Sequence, residues 1–184
     1  MNKTKALRIA ALAVVLALIA GIWVFKDYQE RGNSKSAPAE SGLPTLTAEE
    51  EADFALDAES LDMDKLTSYG LPIIIDFGAD WCGPCRQFAP IYEAMHDEML
   101  GKAIIKYVDF DKYSDIAGAY PVSVIPTQVF INPDGTPYEP SEGLGMDFKT
   151  YADKESGKVM FTTHEGSMTE EQLRTVLEDM GAGQ

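Results

Sequence analysis

The sequence is poor in residues that bind metal ions. Its 184 residues include two cysteines and two histidines, and the histidines, His96 and His164, lie far apart. A structural zinc site takes about four such ligands. A zinc knuckle around the cysteines is therefore disfavoured, and we expect neither a metal nor another cofactor.

Positive charge is also scarce beyond the first 35 residues. The net charge is -15, with six Lys or Arg against two acidic residues up to Lys35 and nine against twenty-eight afterwards. An acidic body disfavours nucleic acid as a partner. The length and the 45% apolar content suit one well-packed domain with an appendage.

The N-terminal region has the pattern of a membrane anchor. Residues 9–25 are uncharged and apolar and follow a basic segment, residues 1–8. About 17 residues is the lower limit for a spanning helix. We predict a cytoplasmic tail (1–8), a transmembrane signal-anchor (9–25), a flexible linker (26–46) and an extracytoplasmic domain (47–184) in a single-pass cell-membrane protein. A cleaved signal peptide, giving a secreted or periplasmic protein, is the alternative.

Both cysteines lie in one short segment, residues 81–85 (WCGPC), between two patterned stretches. An apolar, β-branched run over 72–77 predicts a buried strand, and the pattern over 84–99 predicts a helix. A helix N-terminus favours an anion. The pKa of the Cys82 thiol should therefore fall from about 8.5 toward about 7 or lower.

This position predicts a redox pair, with Cys82 as the nucleophile and Cys85 as the resolving thiol. Pro84 suits the first helical turn, and Gly83 leaves room for a substrate backbone. The alternative is a structural disulfide, which would close too short a loop to add much stability.

Two motifs resemble those of thioredoxins. Residues 76–85 (DFGADWCGPC) resemble the active-site segment, with Trp81 shaping the site, and residues 124–127 (VIPT) resemble the cis-proline loop. The resemblance is close over 71–131 and looser beyond. It implies a thioredoxin fold, an α/β structure with a central mixed sheet flanked by helices, and protein disulfide oxidoreductase activity. The alternation of predicted strands and helices also favours an α/β sandwich.

The resemblance also implies where the substrate binds. The Ile125–Pro126 bond would be cis, and the backbone of Ile125, Pro126 and Thr127 would pair with an extended substrate. An X-Pro bond is where a cis peptide is accessible, although a trans proline opening a strand is the alternative. Gly166, after the last predicted strand, would give the substrate backbone access, or would be a plain turn glycine.

Asp76 lies in the apolar strand before the cysteines and is expected to face the interior. The resemblance makes it the proton acceptor for Cys85, with its pKa raised by burial. The alternative is a strand-end aspartate turned to solvent. Many thioredoxins place a lysine near this carboxylate, but here that position is Tyr107, and Lys106 should point to the opposite face of the sheet.

Residues 138–158 form an insertion where thioredoxins have a tight hairpin. Residues 148–151 could pair with 158–163 around a turn at Ser156–Gly157, which predicts a hairpin-like insertion before the last strand. It would be a partner-specific surface or a longer strand pair with a solvated tip.

The resemblance predicts thiol-disulfide exchange on extracytoplasmic protein substrates. A reductant is favoured because Gly83–Pro84 resembles the pair in reducing thioredoxins, whose potential is about -270 mV against about -120 mV for a strong oxidant. A monomer supplied by a membrane thiol-transfer electron donor is expected. Candidate clients are apocytochrome c in cytochrome c biogenesis, a methionine sulfoxide reductase, or misoxidised secreted proteins. An oxidase or isomerase, and a non-catalytic binding or chaperone module, are the alternatives.

Overall fold

A computed structural model describes residues 47–183. The predicted tail and anchor (1–25) and the linker (26–46) lie outside the described residues. Within residues 47–183 no helix combines the length and the apolar character that crossing a bilayer requires.

Five helices and five strands alternate along the described part of the chain. In chain order they are α1 (Ala48–Phe54), α2 (Met63–Ser68), β1 (Ile73–Gly78), α3 (Gly83–Glu98), β2 (Ile104–Asp109), α4 (Ser114–Ala117), β3 (Thr127–Ile131), β4 (Lys149–Ala152), β5 (Val159–Glu165) and α5 (Glu170–Asp179).

The strands form one mixed sheet in the order β2-β1-β3-β5-β4. β1 runs parallel to β2 and antiparallel to β3, and β5 is antiparallel to both β3 and β4. All six residues of β1 are buried. A strand covered on both faces has no solvent side, which explains why its sequence is an apolar run rather than an alternation.

Helices cover both faces of the sheet. On one face, Ile74 packs with Phe88 and Tyr92 of α3 and with Leu173 and Val176 of α5. The other face carries a second cluster, which includes Phe54, Leu66, Ile73, Ile75 and Ala117. The expected sandwich is confirmed, and β1 lies inside the sheet between β2 and β3.

The short helices before β1 belong to the domain. Thr47 and Glu50 form a reciprocal capping box, in which the Glu50 N–H donates to Thr47 Oγ1 at 3.3 Å. At the other end of α1, Lys106 Nζ donates to the carbonyl oxygens of Ala52 (3.2 Å) and Ala55 (2.6 Å). These bonds attach α1 to β2.

The insertion adds an edge strand to the sheet. β4 pairs with β5 in an antiparallel hairpin, with Tyr151 opposite Phe161, which confirms the predicted pairing. In the turn, Asp153 Oδ1 accepts from the Ser156 N–H at 2.8 Å, and Gly157 adopts φ +68°. The hairpin therefore extends the sheet, with β4 as its edge strand.

Candidate redox site

Cys82 and Cys85 form a disulfide at the N-terminus of α3, with their Cα atoms 5.2 Å apart. Cys82 is the N-cap residue, and the backbone N–H of Cys85 donates to Cys82 Sγ at 3.2 Å. Pro84 occupies the first turn, where a missing N–H removes no helical bond. In the reduced protein, the same N–H and the helix N-terminus favour a thiolate at Cys82.

The proline loop lies against the disulfide. The Ile125–Pro126 bond is cis, as the resemblance implies, and the Ile125 carbonyl oxygen is 3.7 Å from Cys82 Sγ. Thr127 Oγ1 donates to the Val124 carbonyl at 2.7 Å, which ties the start of β3 to the loop.

Gly166 supports this loop from the end of β5. Its N–H donates to the Pro126 carbonyl at 2.8 Å, and its φ of +104° is one that glycine adopts readily. A Cβ at this position would meet no atom within 4 Å. The structure thus brings Gly166 to the proline loop and leaves open space above it.

An exposed apolar groove lies beside Cys82. Its volume is about 430 Å3, and its walls include Trp81, Gly83, Pro84, Phe110, Val124 and Ile125. Trp81 is 68% exposed and Val124 is 50% exposed. The Trp81 indole N–H donates to Asp111 Oδ2 at 2.5 Å, which orients the ring. Exposed apolar surface next to a reactive sulfur suits a polypeptide ligand.

Asp76 is buried inside the sheet, so the solvent-facing alternative is wrong. Only 3% of the residue is exposed, and burial raises the pKa of its carboxyl to about 7. The carboxylate lines a cavity of about 220 Å3 together with Cys85 and Tyr107. This places a group that titrates near neutral pH on the Cys85 side of the disulfide.

The polar neighbours of Asp76 are a tyrosine at the position where many thioredoxins have a lysine and an amide on the other adjacent strand. Lys106 lies on the opposite face from Asp76, as expected, whereas Tyr107 is directly across from Asp76 in the β1–β2 register. Burial raises the pKa of Tyr107 to about 12, so its hydroxyl is neutral at pH 7. Gln128 of β3 donates from Nε2 to Asp76 Oδ1 at 2.7 Å.

Gln128 is the site residue that the sequence reasoning missed. The available signal was a polar amide in an otherwise apolar strand, residues 127–131 (TQVFI), directly after the proline loop. As for metals, no three His, Cys, Asp or Glu side chains within residues 47–183 form a group that could hold an ion.

The comparisons with known proteins all point to one family. A family model described as Thioredoxin matches residues 59–151. Thioredoxin of Chlorobaculum thiosulfatiphilum is 39% identical over 82 residues, which are 45% of this chain and 70% of that protein. Thioredoxin H4 of Arabidopsis thaliana is 32% identical over 113 residues, which are 61% of this chain and 87% of that protein.

A solved structure supports the same fold. Chloroplastic thioredoxin z aligns with a TM-score of 0.50 at 22% identity, covering 70% of this chain and 96% of its own. With the disulfide-forming pair at the helix N-terminus, these matches assign thiol-disulfide chemistry of the thioredoxin type. The chain belongs to the thioredoxin family and is a thioredoxin-like protein disulfide oxidoreductase.

Proposed function

We propose that this protein reduces disulfides of extracytoplasmic protein substrates while residues 9–25 anchor it in the membrane. The observation that carries the exchange mechanism is the position of Cys82 Sγ, between the Cys85 N–H at 3.2 Å and the Ile125 carbonyl at 3.7 Å, beside the exposed groove. A sulfur placed there borders the groove proposed for the polypeptide, and the Cys85 N–H and the helix N-terminus favour its anion.

The first step is attack by Cys82. In the reduced protein, the Cys82 thiolate attacks one sulfur of a substrate disulfide, and that disulfide breaks. A mixed disulfide forms between Cys82 and the substrate, and the other substrate sulfur leaves as a thiolate that takes a proton from water. Ile125, Pro126 and Thr127 would hold the substrate backbone, and Gly166 would leave room for it.

The second step is resolution by Cys85. The Cys85 thiol gives its proton to the Asp76 carboxylate, and its sulfur attacks Cys82 Sγ. The bond between Cys82 and the substrate breaks, the electron pair stays on the substrate sulfur, and the Cys82–Cys85 disulfide forms. Two electrons have then passed to the substrate.

The direction and the location rest on the sequence. Gly83–Pro84 between the cysteines favours the reductant, and the basic start followed by the apolar run of residues 9–25 favours an anchor with the domain outside. Because a reductant must be recharged with two electrons, we propose a membrane thiol-transfer protein as the donor.

Trapping of mixed disulfides tests the mechanism. Cys85→Ser should accumulate covalent complexes with substrate proteins that dithiothreitol releases, because the resolving thiol is absent. Cys82→Ser is the matched control, since it keeps one thiol and loses the attacking one that borders the groove, and it should trap none. Equal trapping by both variants would contradict the assigned roles of the two cysteines. Trapping by neither would favour the non-catalytic binding module.

A further inference from the structure

Gln128 contacts the one carboxylate buried behind the cysteines. It lies directly opposite Asp76 in the β1–β3 register, so the two side chains share one face of the sheet. Gln128 has no solvent exposure, and its Nε2 is 2.7 Å from Asp76 Oδ1. Among the described residues, it is the side chain that donates to this carboxylate.

The other end of the same amide has no partner. Gln128 Oε1 is buried and makes no hydrogen bond to any part of the chain that the structure describes. A buried polar atom left unpaired destabilises a fold, whereas an apolar side chain of similar size would avoid that cost. Within residues 47–183, the contact with Asp76 is thus the one hydrogen bond that this side-chain amide makes.

A side-chain amide with one hydrogen-bond partner can bind either the ionised or the protonated form of that partner. With Nε2 toward Asp76, it donates to the ionised carboxylate. After rotation of the terminal amide, Oε1 accepts from the protonated carboxyl, and Nε2 becomes the unpaired end. Each orientation makes one hydrogen bond and leaves one polar end unpaired, so neither is fixed by a second contact.

We propose that Gln128 is a positioning residue that follows the proton on Asp76, donating to the carboxylate before Cys85 is deprotonated and accepting from the carboxyl afterwards. This inference rests on the proposed role of Asp76. The proton moves from Cys85 Sγ to Asp76, the Cys82–Cys85 bond forms as the Cys82–substrate bond breaks, and the carboxyl later releases the proton to water. A lysine near this carboxylate has only donors and could not accept from the protonated carboxyl.

Other titratable groups share the cavity with Asp76. They are Asp57, Asp80, Cys85, Arg86, Tyr92, Glu93 and, on β2, Tyr107. The single proton of the Tyr92 hydroxyl is shared between the backbone carbonyl oxygens of Ile74 and Lys106, each 3.1 Å away. It is therefore engaged away from the carboxylate.

The test uses Gln128→Met in the full chain, with Thr163→Val as a matched control. The Thr163 hydroxyl is also buried without a partner in the described structure, but it belongs to the next strand and to the opposite face of the sheet. Both substitutions therefore remove a buried unpaired polar atom, and only the first touches Asp76. If Gln128→Met fails to fold, Gln128→Leu replaces it.

Three readouts decide the proposal. The carboxyl carbon resonance of Asp76 should titrate with a pKa up to about one pH unit higher in Gln128→Met, because the bond lost by the charged carboxylate is stronger than the bond lost by the neutral carboxyl. The pH midpoint of Cys85 attack on a preformed mixed disulfide should rise equally, and Thr163→Val should move neither. In the unmodified chain, the Gln128 side-chain N–H resonances should titrate together with Asp76.

An unchanged Asp76 pKa in Gln128→Met, or Gln128 N–H resonances that ignore the Asp76 titration, would overturn the inference. Failure of the proposed function is distinguishable. If Asp76→Asn leaves the resolution rate unchanged while Gln128→Met still moves the Asp76 pKa and the Gln128 resonances still follow it, then the acceptor role is wrong and the coupling of the two side chains stands.

Discussion

Asp76 and Cys85 line the same partly open cavity of about 220 Å3, which brings the carboxylate and the second cysteine to one space. Cys82 instead borders the open groove on the other side of the disulfide. Cys82 therefore borders the groove proposed for the substrate, and Cys85 shares a cavity with the proposed proton acceptor.

Removing the acceptor should slow resolution and spare attack. The Asp76 pKa of about 7 means that the carboxylate form grows as pH rises through 7. The resolution rate should rise over the same range. Asp76→Asn should lower the rate at pH 8 about a hundredfold, the lower end of what general acid-base catalysis contributes, and should remove the rise in rate around pH 7.

Single-turnover kinetics with a disulfide-containing peptide measure this effect. Attack alone is isolated by comparing Cys85→Ser with the double variant Cys85→Ser/Asp76→Asn, which should attack at similar rates. A resolution rate that is the same in Asp76→Asn would remove Asp76 from the mechanism.

The same carboxylate should make stability depend on pH. The pKa of Asp76 is about 7 in the folded protein against about 3.9 in an unfolded chain, so the folded state binds more protons between these values. The contribution of Asp76 to the unfolding free energy therefore falls as pH rises from about 4 to about 7. Asp76→Asn should stabilise the protein by about 3 to 4 kcal/mol at pH 8 and little at pH 4.

Urea unfolding of the two proteins at both pH values measures that difference. The Asn side chain retains an oxygen that can accept from Gln128, so the comparison isolates the buried charge. A stability difference that is independent of pH would show that Asp76 titrates normally.

Lys106 should give the opposite pH dependence at alkaline pH. Burial lowers its pKa to about 8, below the unfolded value of about 10.4, so the unfolded state binds more protons between these values. Stability from this group therefore rises as pH increases from 8 to about 10. Relative to Lys106→Met, the unmodified chain should gain about 1 to 3 kcal/mol between pH 7.5 and 9.5.

Tyrosines and other groups that titrate at alkaline pH are present in both proteins, so their contributions cancel in this comparison. Chemical unfolding at the two pH values gives the difference directly. If the difference in unfolding free energy between the two proteins were the same at both pH values, Lys106 would remain charged beside α1.

The inserted hairpin should contribute to stability through Phe148. Its ring packs edge-on against Phe130 (5.5 Å between centroids) and Tyr138 (5.6 Å). Phe148→Ala should lower the unfolding free energy by about 2 kcal/mol, less than for a fully buried phenylalanine. Met160→Ala is the matched control on β5, since Met160 is 49% exposed, and it should cost less than about 1 kcal/mol.

Thermal or urea unfolding distinguishes the two variants. Neither residue lines the groove beside Cys82, so exchange activity should be kept in both. If Phe148→Ala and Met160→Ala had the same unfolding free energy, the packing of Phe148 on the sheet would add nothing to stability. The insertion would then be a solvated appendage.

The sequence predicted those parts of the site whose residues are close together in the chain. The strand, the turn and the helix around residues 76–85 follow from local periodicity. The hairpin of β4 and β5 follows from two apolar runs around a Gly-containing turn. The cis bond before Pro126 came from the resemblance, because periodicity does not distinguish cis from trans.

Contacts between distant residues could not be predicted. Gln128 and Asp76 are 52 residues apart, and their hydrogen bond depends on the β1–β3 register, which no local pattern specifies. The bonds from Lys106 to the end of α1 likewise span more than 50 residues. The sequence predicted the face of the sheet on which Lys106 lies, but it did not predict the contacts of Lys106 with the end of α1.

The reduction potential of the Cys82–Cys85 pair tests the proposed direction of electron flow most directly. The full chain would be equilibrated with glutathione and dithiothreitol buffers of known potential, and the fraction of disulfide would be measured by thiol alkylation and mass. A reductant predicts a value near -270 mV, about that of thioredoxin. A value near -120 mV, about that of a strong oxidant, would contradict the account and would make the protein a donor of disulfides.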